Sequence, residues 1–446
     1  MIPRIIEESV AVLENITDNV DKLALINTLN CKVAHLINSK NVFFKQYENS
    51  KPCVLSYYAM NFLNSGSNKD YMVDSINNYL LPFLSDELEN AIVKFKERFE
   101  LENQTMKQKD LEAELDKIRV ANLELYNPNS QGLYREAEQI NRTEFGCLCI
   151  RIGELGDYLD SCISGDKSKR ELYGKLKEIY EGTIAPSIIA GDSKRKTLKN
   201  IPIVALMYSD FENLLNPKIK EYYITSLKTG MARRSFIYIP KNQKVLNYPK
   251  KPTEKEFAFR QANVLEEKFK QIYNFIEPNT IYKLSNDAKE YIYDYQCDCI
   301  DYFNNSKDNI IVKLEKKESF WKITKLACIY SIVDNPLNNV VGLDYFVMAK
   351  NFYEAISGSL ATVIEKRKES EIEQFAEFIS NNRHDIITNS MLRNSNIVNG
   401  NKFKHFFNEH INEIKDELLT EYNLNMYEYS DGRINSKSWQ VVENEN

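Results

Sequence analysis

The chain of 446 residues is 43% hydrophobic and 27% charged, with a formal net charge of −6. It is longer than one ordinary domain, and its composition excludes a disordered chain. No apolar run approaches the roughly 20 residues that span a bilayer, and residues 1–8 contain no apolar signal core. We therefore expect a cytoplasmic protein without a membrane partner. The eight cysteines and four histidines lack zinc-ligand spacing, which favours buried free thiols.

The first 45 residues carry apolar side chains near helical spacing, which predicts an N-terminal helical segment over 1–45. A core over 46–250 is expected to follow. Within it, residues 87–125 are highly charged and predict a long helical insertion with a hairpin tip near residues 103–105.

The core begins with an apolar strand over residues 54–63, a polar turn, Lys69 and a helix predicted to start at Tyr71. This is the layout of a phosphate-binding loop, in which turn N–H groups, a helix N-terminus and a lysine face an anion. The usual spacing has glycine before the lysine and serine or threonine after it, whereas this chain has Asn68 and Asp70. A strand, a turn and one lysine also occur in α/β proteins without nucleotide. The candidate nucleotide-binding residues of the loop are Ser65, Gly66, Ser67, Asn68, Lys69 and Asp70.

Three more strands are predicted, over residues 146–152, 201–208 and 235–240. Because strands alternate with helices, we expect a parallel sheet whose ligands lie at the carboxyl ends of its strands. Most of the polar residues of interest, including Glu154 and Ser209, follow such strand ends.

Phosphoryl transfer needs a lysine at the phosphates, an acidic residue that positions water, and positive charge for the transition state. Lys69 can supply the first, and Glu154 is the candidate acidic catalytic residue. Ser209 is a candidate for sensing the γ-phosphate. Arg233 and Arg234, which precede the last strand, are candidate arginine fingers. If the protein forms a ring, they would act in the site of a neighbouring subunit. Taken singly, each of these charged residues is more often a surface charge.

A metal anchor is harder to find in this sequence. The aspartate that usually precedes the catalytic acid is replaced by Gly153. Asp157 lies one helical turn further on, and Asp70 can face Mg²⁺ directly or through water. These two carboxylates are the candidate metal ligands.

The middle of the chain is basic, with 18 Lys/Arg against 8 Asp/Glu over residues 164–251. Such a patch is typical of binding to a phosphate backbone. A solvated lysine-rich surface explains the same charges equally well. The candidate DNA-binding residues are Lys194, Arg195, Lys196 and Lys199.

Beyond a Pro/Lys-rich linker at 249–253 the chain predicts a helical lid over 255–368. Residues 370–446 predict three helices, over 371–381, 387–393 and 402–422. A hairpin over 426–435 follows, with Asp431 and Gly432 at its turn. Three helices and a hairpin predict a winged helix-turn-helix. With 7 Lys/Arg against 13 Asp/Glu from Glu371 onward, this module is acidic, which favours protein partners over duplex DNA.

The ordered set of motifs resembles a family of phage, plasmid and mobile-island P-loop ATPases related to primase-helicases. That family, long catalogued as a domain of unknown function, is similar to superfamily-three replicative helicases. The likeness covers roughly residues 50–365. It is carried by residues 58–70, 130–133, 150–159 and 229–236, and in the lid by residues 321–327 and 344–349.

The resemblance implies an α/β P-loop NTPase core of the RecA/AAA+ type with largely helical flanking domains and a C-terminal winged helix. It implies ATP and Mg²⁺ as cofactors, a homo-oligomeric ring, DNA and replication proteins as partners, and the host cytoplasm if a phage encodes the chain. Lys69 would contact the phosphates, Glu154 would polarise the attacking water, and Arg233 or Arg234 would be the finger.

The expected function is therefore a helicase-like replication ATPase of a phage or mobile element. An alternative keeps the fold and drops the hydrolysis: a replication initiator or helicase-loading adaptor, favoured by Asn68, Asp70 and Gly153. A purely structural helical protein is a third possibility, which leaves the polar residues at strand ends unexplained.

Overall fold

A computed structural model describes residues 2–18, 20–63, 68–116, 118, 122–186, 196–210, 216–231, 233–240, 250–357, 371–372, 374–395, 397–398, 402–429 and 438–443. Its contacts divide the chain into two compact units, Met1–Leu360 and Ala361–Asn446. No helix in these described ranges has the length and apolarity needed to cross a membrane.

The first unit is a mixed α/β structure. Its strands are β1 (Phe43–Lys45), β2 (Cys53–Val54), β3 (Tyr58–Leu63), β4 (Glu124–Tyr126), β5 (Leu148–Ile152), β6 (Ile203–Asp210), β7 (Ser235–Tyr238), β8 (Ile281–Leu284) and β9 (Val340–Val341). Its helices are α1 (Arg4–Thr17), α2 (Lys22–Asn38), α3 (Lys69–Tyr79), α4 (Phe83–Glu102), α5 (Gln108–Leu115), α6 (Ser130–Ile140), α7 (Leu155–Ser164), α8 (Lys167–Ile179), α9 (Pro217–Ser226), a π-helical turn (Leu227–Met231), α10 (Pro252–Phe275), α11 (Asn286–Asn305), α12 (Ile310–Lys317), α13 (Ser319–Asp334) and α14 (Leu343–Ile356).

The main sheet has five parallel strands in the order β4-β5-β6-β3-β7. The predicted parallel sheet is thus confirmed, with one more strand than expected. The additional strand, β4, ends the region predicted as a helical insertion over 87–125, which also contains α4 and α5. Its three residues alternate between polar and apolar, too short a pattern to outweigh the charged helical residues before it.

Strand β3 is buried along its whole length, as expected for a central strand with both faces covered. Its side chains alternate between the two faces. Tyr57 and Asn61 hydrogen-bond to Asn27 of α2, whereas Tyr58 donates to the carbonyl of Leu176 in α8. The sheet therefore has helices on both faces.

Helix α2 lies against the sheet and is buried from Ala24 to Asn38. It carries polar side chains into this contact: Thr28 shares a hydrogen bond with the Tyr208 hydroxyl at 2.6 Å, and Asn27 donates to the Phe236 carbonyl at 3.0 Å. Because buried polar groups are costly unless paired, these bonds fix the helix in one position on the sheet. The predicted N-terminal helical segment is thus helical, and α2 forms one face of the sheet.

Helices α10–α14 continue the first unit. Helix α13 is buried at nearly every position, and its Lys322 donates to the Ser235 carbonyl of β7 at 3.0 Å. A second sheet that the sequence pattern did not predict has the order β2-β1-β8-β9. Its strands are two to four residues long, below the length at which alternation is recognisable.

Two predicted helix boundaries need correction. Helix α3 begins at Lys69, not Tyr71, because Asn68 already starts the helical hydrogen bonding by accepting from the Met72 N–H. Helix α10 begins at Pro252, inside the predicted linker, because proline is well suited to the first position of a helix.

The second unit has helical residues 371–372 and 374–381 (α15), α16 (Asn389–Asn394) and α17 (Phe403–Tyr422). Strands β10 (Ile387–Thr388), β11 (Leu424–Tyr429) and β12 (Ser438–Glu443) form an antiparallel sheet in the order β10-β12-β11. The helix predicted over 387–393 therefore starts two residues later, after a short strand. Strands β11 and β12 form a hairpin, but Tyr429 pairs with Ser438, so the second strand lies beyond the predicted hairpin over 426–435. The predicted turn residues Asp431 and Gly432 lie outside the described residues. Trp439 is buried in this unit's own apolar core.

Candidate functional site

The connections of the main sheet change direction beside β3. From β3 the chain crosses to the far edge strand β4 and then returns through β5 to β6, whereas from β6 it passes over β3 to β7. Right-handed crossovers in opposite directions place their helices on opposite faces of the sheet. A crevice is therefore expected at the carboxyl ends of β3 and β6, where open α/β sheets bind ligands.

Lys69 lies in this crevice, between two carboxylates. Its Nζ donates to Asp210 Oδ1 at 2.7 Å, at the end of β6, and also forms an ion pair with Glu154 at the start of α7. The lysine side chain is 14% exposed, so these contacts are largely shielded from bulk water. Burial acts to lower the pKa of Lys69, but the hydrogen bonds to Asp210 and Glu154 outweigh it and raise the pKa. The lysine is a fixed positive charge.

Asn68 explains one departure from the usual loop sequence. Its backbone is left-handed, with φ 52° and ψ 32°. This region favours glycine, and asparagine is among the few other residues that adopt it routinely. Asn68 therefore keeps the backbone that a glycine before the lysine would provide. Ser65, Gly66 and Ser67, the preceding candidates, lie outside the described residues.

Asp70 is held by an arginine of the neighbouring strand β5. Arg151 Nη2 donates to Asp70 Oδ1 at 2.8 Å, and Nη1 donates to Asp74 Oδ1 at 2.9 Å. Burial opposes the charge of Arg151, but the hydrogen bonds that it donates to Asp74 and Asp70 raise its pKa well above the ordinary value. The residue that follows the lysine is therefore part of an ion-pair network that joins α3 to β5.

The network continues beneath the crevice through Glu124 of β4. This carboxylate lies 3.7 Å from Arg151 Nη1, accepts from Asn77 Nδ2 at 2.7 Å, and forms an ion pair with the buried Lys32 of α2. Burial acts to raise the pKa of Glu124, but the charge of Lys32 outweighs it and lowers the pKa. Three carboxylates, of Asp70, Asp74 and Glu124, thus surround one guanidinium.

The residues on this side of the crevice do not fit a protein-held Mg²⁺. Gly153 offers no ligand, and a Cβ at this position would overlap the hydroxyl of Tyr126 and lie 2.9 Å from its Cζ. Asp70, one of the two candidate ligands, is bound to Arg151, and Asp157 is exposed on the first turn of α7. Across the described part of the chain, no group of three His, Cys, Asp or Glu side chains could hold a metal ion.

Ser209 and Asp210 end β6 with side chains on opposite faces of the sheet, because side chains alternate along a strand. Asp210 contacts Lys69. Ser209 is 1% exposed, and its Oγ has no hydrogen-bond partner among the described residues. Asp210 is therefore the β6 residue that contacts the lysine.

Arg233 and Arg234 lie at the other end of the sheet from Lys69. Ser235 pairs with Tyr58, so Arg234 is level with Tyr57, six residues before the end of β3 at Leu63. At roughly 3.3 Å per residue this separates the arginines from the crevice by about 20 Å along the strands.

Each of these arginines pairs with a carboxylate of its own chain. Arg233 contacts Glu318 at 2.5 Å, and Arg234 Nη2 lies 3.8 Å from Glu181. A finger role for either arginine therefore requires a second subunit and the opening of these pairs.

Lys196 and Lys199 are exposed beside the isolated bridge between Ile184 and Leu198. Their ammonium groups are available to a polyanion in solution. The other two candidate DNA-binding residues, Lys194 and Arg195, lie outside the described residues.

Several residues of the site were not assigned a role from the sequence, among them Asp210, Arg151 and Tyr126. Asp210 could have been assigned one, because it follows the strand predicted over 201–208 and so lies at the carboxyl edge of the sheet. Arg151 also carries a signal: a charged residue within the apolar strand Leu148–Ile152, in a sheet buried on both faces, needs a paired partner. Tyr126 carries no such signal, because its position against Gly153 depends on the register of β4 and β5.

No model of a protein family matches the chain, and no curated protein matches it significantly.

Proposed function

We propose that the protein is a helicase-like P-loop ATPase that works on DNA during replication of a phage or other mobile element. The observation that carries this proposal is the position of Lys69. It projects from the first turn of α3 into the crevice where the connections of a parallel sheet change direction, and it contacts the acidic residues Glu154 and Asp210.

Each of these residues has a defined task in the proposed reaction. Lys69 binds the phosphates of ATP, for which it exchanges one or both of its carboxylate partners. Glu154 then has the free carboxylate that orients the attacking water. Its Oε2 is buried without a hydrogen-bond partner among the described residues, and a water bound there would satisfy this acceptor. Mg²⁺ ordinarily accompanies ATP, but Asp70 is bound to Arg151 and Gly153 offers no ligand, so these two positions do not hold it.

Assembly into a ring is part of the proposal. Because Arg233 and Arg234 lie about 20 Å from the crevice of their own chain along the strands, either arginine would act in the site of a neighbour. The exposed Lys196 and Lys199 would contact the backbone of single-stranded DNA without reading bases. The second unit, with three helices and a hairpin, supports a winged helix that docks replication proteins.

A second candidate is favoured by the Asp70–Arg151 pair. A site whose metal-anchoring positions are occupied by an ion pair and by Gly153 can bind nucleotide and hydrolyse it slowly or not at all. In this case the protein is a non-hydrolysing replication initiator or helicase-loading adaptor.

Steady-state ATP hydrolysis with and without single-stranded DNA separates these candidates. In a motor, DNA stimulates turnover in the wild type, and both Lys69→Ala and Glu154→Gln abolish it. In an adaptor, the wild type binds nucleotide and DNA without turnover above background. A wild type that binds neither ATP nor DNA would overturn both.

A further inference from the structure

The positions that usually hold Mg²⁺ in a P-loop site have the wrong chemistry in this protein. Mg²⁺ requires near-octahedral oxygen ligands, some of them waters, and in such sites the residue after the lysine and an acidic residue on a nearby strand provide them. The corresponding residues are Asp70 and Gly153.

At the first position a guanidinium already neutralises the carboxylate. Arg151 donates to Asp70 at 2.8 Å and to Asp74 at 2.9 Å, with Glu124 at 3.7 Å. A divalent cation that approached Asp70 would meet the fixed positive charge of Arg151. Because Asp70 and Asp74 both accept hydrogen bonds from this guanidinium, it cannot turn away without leaving these two carboxylates unpaired.

At the second position the space is filled. The hydroxyl of Tyr126 lies where a Cβ of residue 153 would project. Tyr126 pairs with Arg151 in the register of β4 and β5, so these two residues are neighbours on adjacent strands.

We infer that this site binds the phosphates of a nucleotide without a protein-held Mg²⁺, and that Arg151 supplies the positive charge that the metal would otherwise bring to residue 70. The inference rests on the proposed nucleotide-binding function. Arg151 is a positioning residue: it neutralises Asp70 and Asp74, so that Lys69 and the N-terminus of α3 can receive an anion.

The test is the equilibrium binding of a fluorescent ADP analogue, measured in magnesium chloride and in excess EDTA. For the wild type we expect affinities in the two conditions that agree within about threefold. Binding that requires Mg²⁺ would overturn the inference and leave the proposed function intact. No binding in either condition would overturn the proposed function, and the inference with it.

A variant of Arg151 gives a readout that loss of packing cannot produce. In Arg151→Gln the carboxylates of Asp70 and Asp74 become unpaired. We expect affinity in EDTA to fall by about tenfold or more and Mg²⁺ to restore part of it, because oxygen ligands are then free. Arg151→Lys should keep most of the affinity in EDTA. The matched control is Arg4→Gln, since Arg4 is 88% exposed, and it should change nothing.

A second variant keeps the inference testable if Arg151→Gln does not fold. Asp70 is 61% exposed, so Asp70→Asn should fold normally. We expect it to bind the analogue in EDTA at least as tightly as the wild type, because one negative charge is removed. If Asp70 instead held a metal, Asp70→Asn would weaken binding only in magnesium chloride, and the inference would be wrong.

Discussion

A hydrogen bond joins Lys69, at the start of α3, to Asp210, at the end of β6, with Nζ 2.7 Å from Oδ1. The aspartate both orients the lysine and competes with any anion for it. We expect Lys69→Ala to weaken the binding of a slowly hydrolysed ATP analogue by about tenfold or more. Asp210→Asn should strengthen it by about three- to tenfold, because a competing charge is lost. Isothermal titration calorimetry measures both. If Asp210→Asn lost binding as Lys69→Ala does, Asp210 would be needed to hold Lys69 in place for the ligand. It would then not compete with the ligand for Lys69.

The left-handed backbone of Asn68 predicts opposite results for two small substitutions. Asn68→Ala should lower the free energy of unfolding by about 1–2 kcal/mol, because a Cβ in this conformation is strained. Asn68→Gly should change it by a few tenths of a kcal/mol, since glycine has no such strain. Urea unfolding of the two variants measures the difference. Equal stabilities would mean that position 68 is not left-handed in solution.

Lys325 predicts how stability depends on pH. It is 2% exposed, donates to the Tyr180 carbonyl at 3.2 Å and lies 3.6 Å from the centre of the Tyr180 ring. Burial lowers its pKa to about 8, with partial compensation by the charge of Glu181. Below pH 8 the folded and unfolded states both carry the proton, and the full cost of burying the charge is present.

Between pH 8 and 10.5 the folded state releases this proton while the unfolded state keeps it, so the free energy of unfolding rises with pH. The rise from this group is at most about 3 kcal/mol. Lys325→Met should lack it, whereas Lys270→Met, at an exposed position of α10, should keep it. Denaturant unfolding at several pH values compares the three proteins. Parallel pH profiles for wild type and Lys325→Met would contradict the buried, proton-releasing lysine.

Lys196 and Lys199 predict a dependence on salt. If both contact phosphates of single-stranded DNA, replacing the pair by glutamine should reduce the slope of log affinity against log salt by about 1.4. The loss should be similar for DNA of any sequence, because phosphate contacts carry no base information. Fluorescence anisotropy over a range of salt concentrations measures the slope. Lys109→Gln, on the exposed helix α5, is the control. An unchanged slope would assign these lysines to the solvated surface.

The sequence predicted the parallel sheet and the position of the candidate site, because both depend on local patterns. Apolar runs followed by polar residues identified four of the five strands, and the lysine after the first of them identified the crevice. The sequence could not predict which side chains of the site contact each other. Arg151 reaches Asp70 across 81 positions of the chain, and Tyr126 meets Gly153 only because β4 and β5 are neighbours. Such contacts depend on strand order, which periodicity does not encode.

Helix α2 has a consequence for the order of folding. Its side chains hydrogen-bond to residues that are synthesised much later than the helix: Thr28 contacts Tyr208, 180 positions further on, and Asn27 donates to the carbonyl of Phe236, 209 positions further on. Until β7 has left the ribosome, the sheet face against which α2 packs is incomplete. The apolar side chains of α2 then stay exposed, and the side-chain amide of Asn27 lacks its partner in β7. Contacts between residues so far apart in sequence slow folding and prolong the exposure of aggregation-prone apolar surface. We therefore expect nascent chains that end before residue 236 to depend on chaperones and to aggregate when these are depleted.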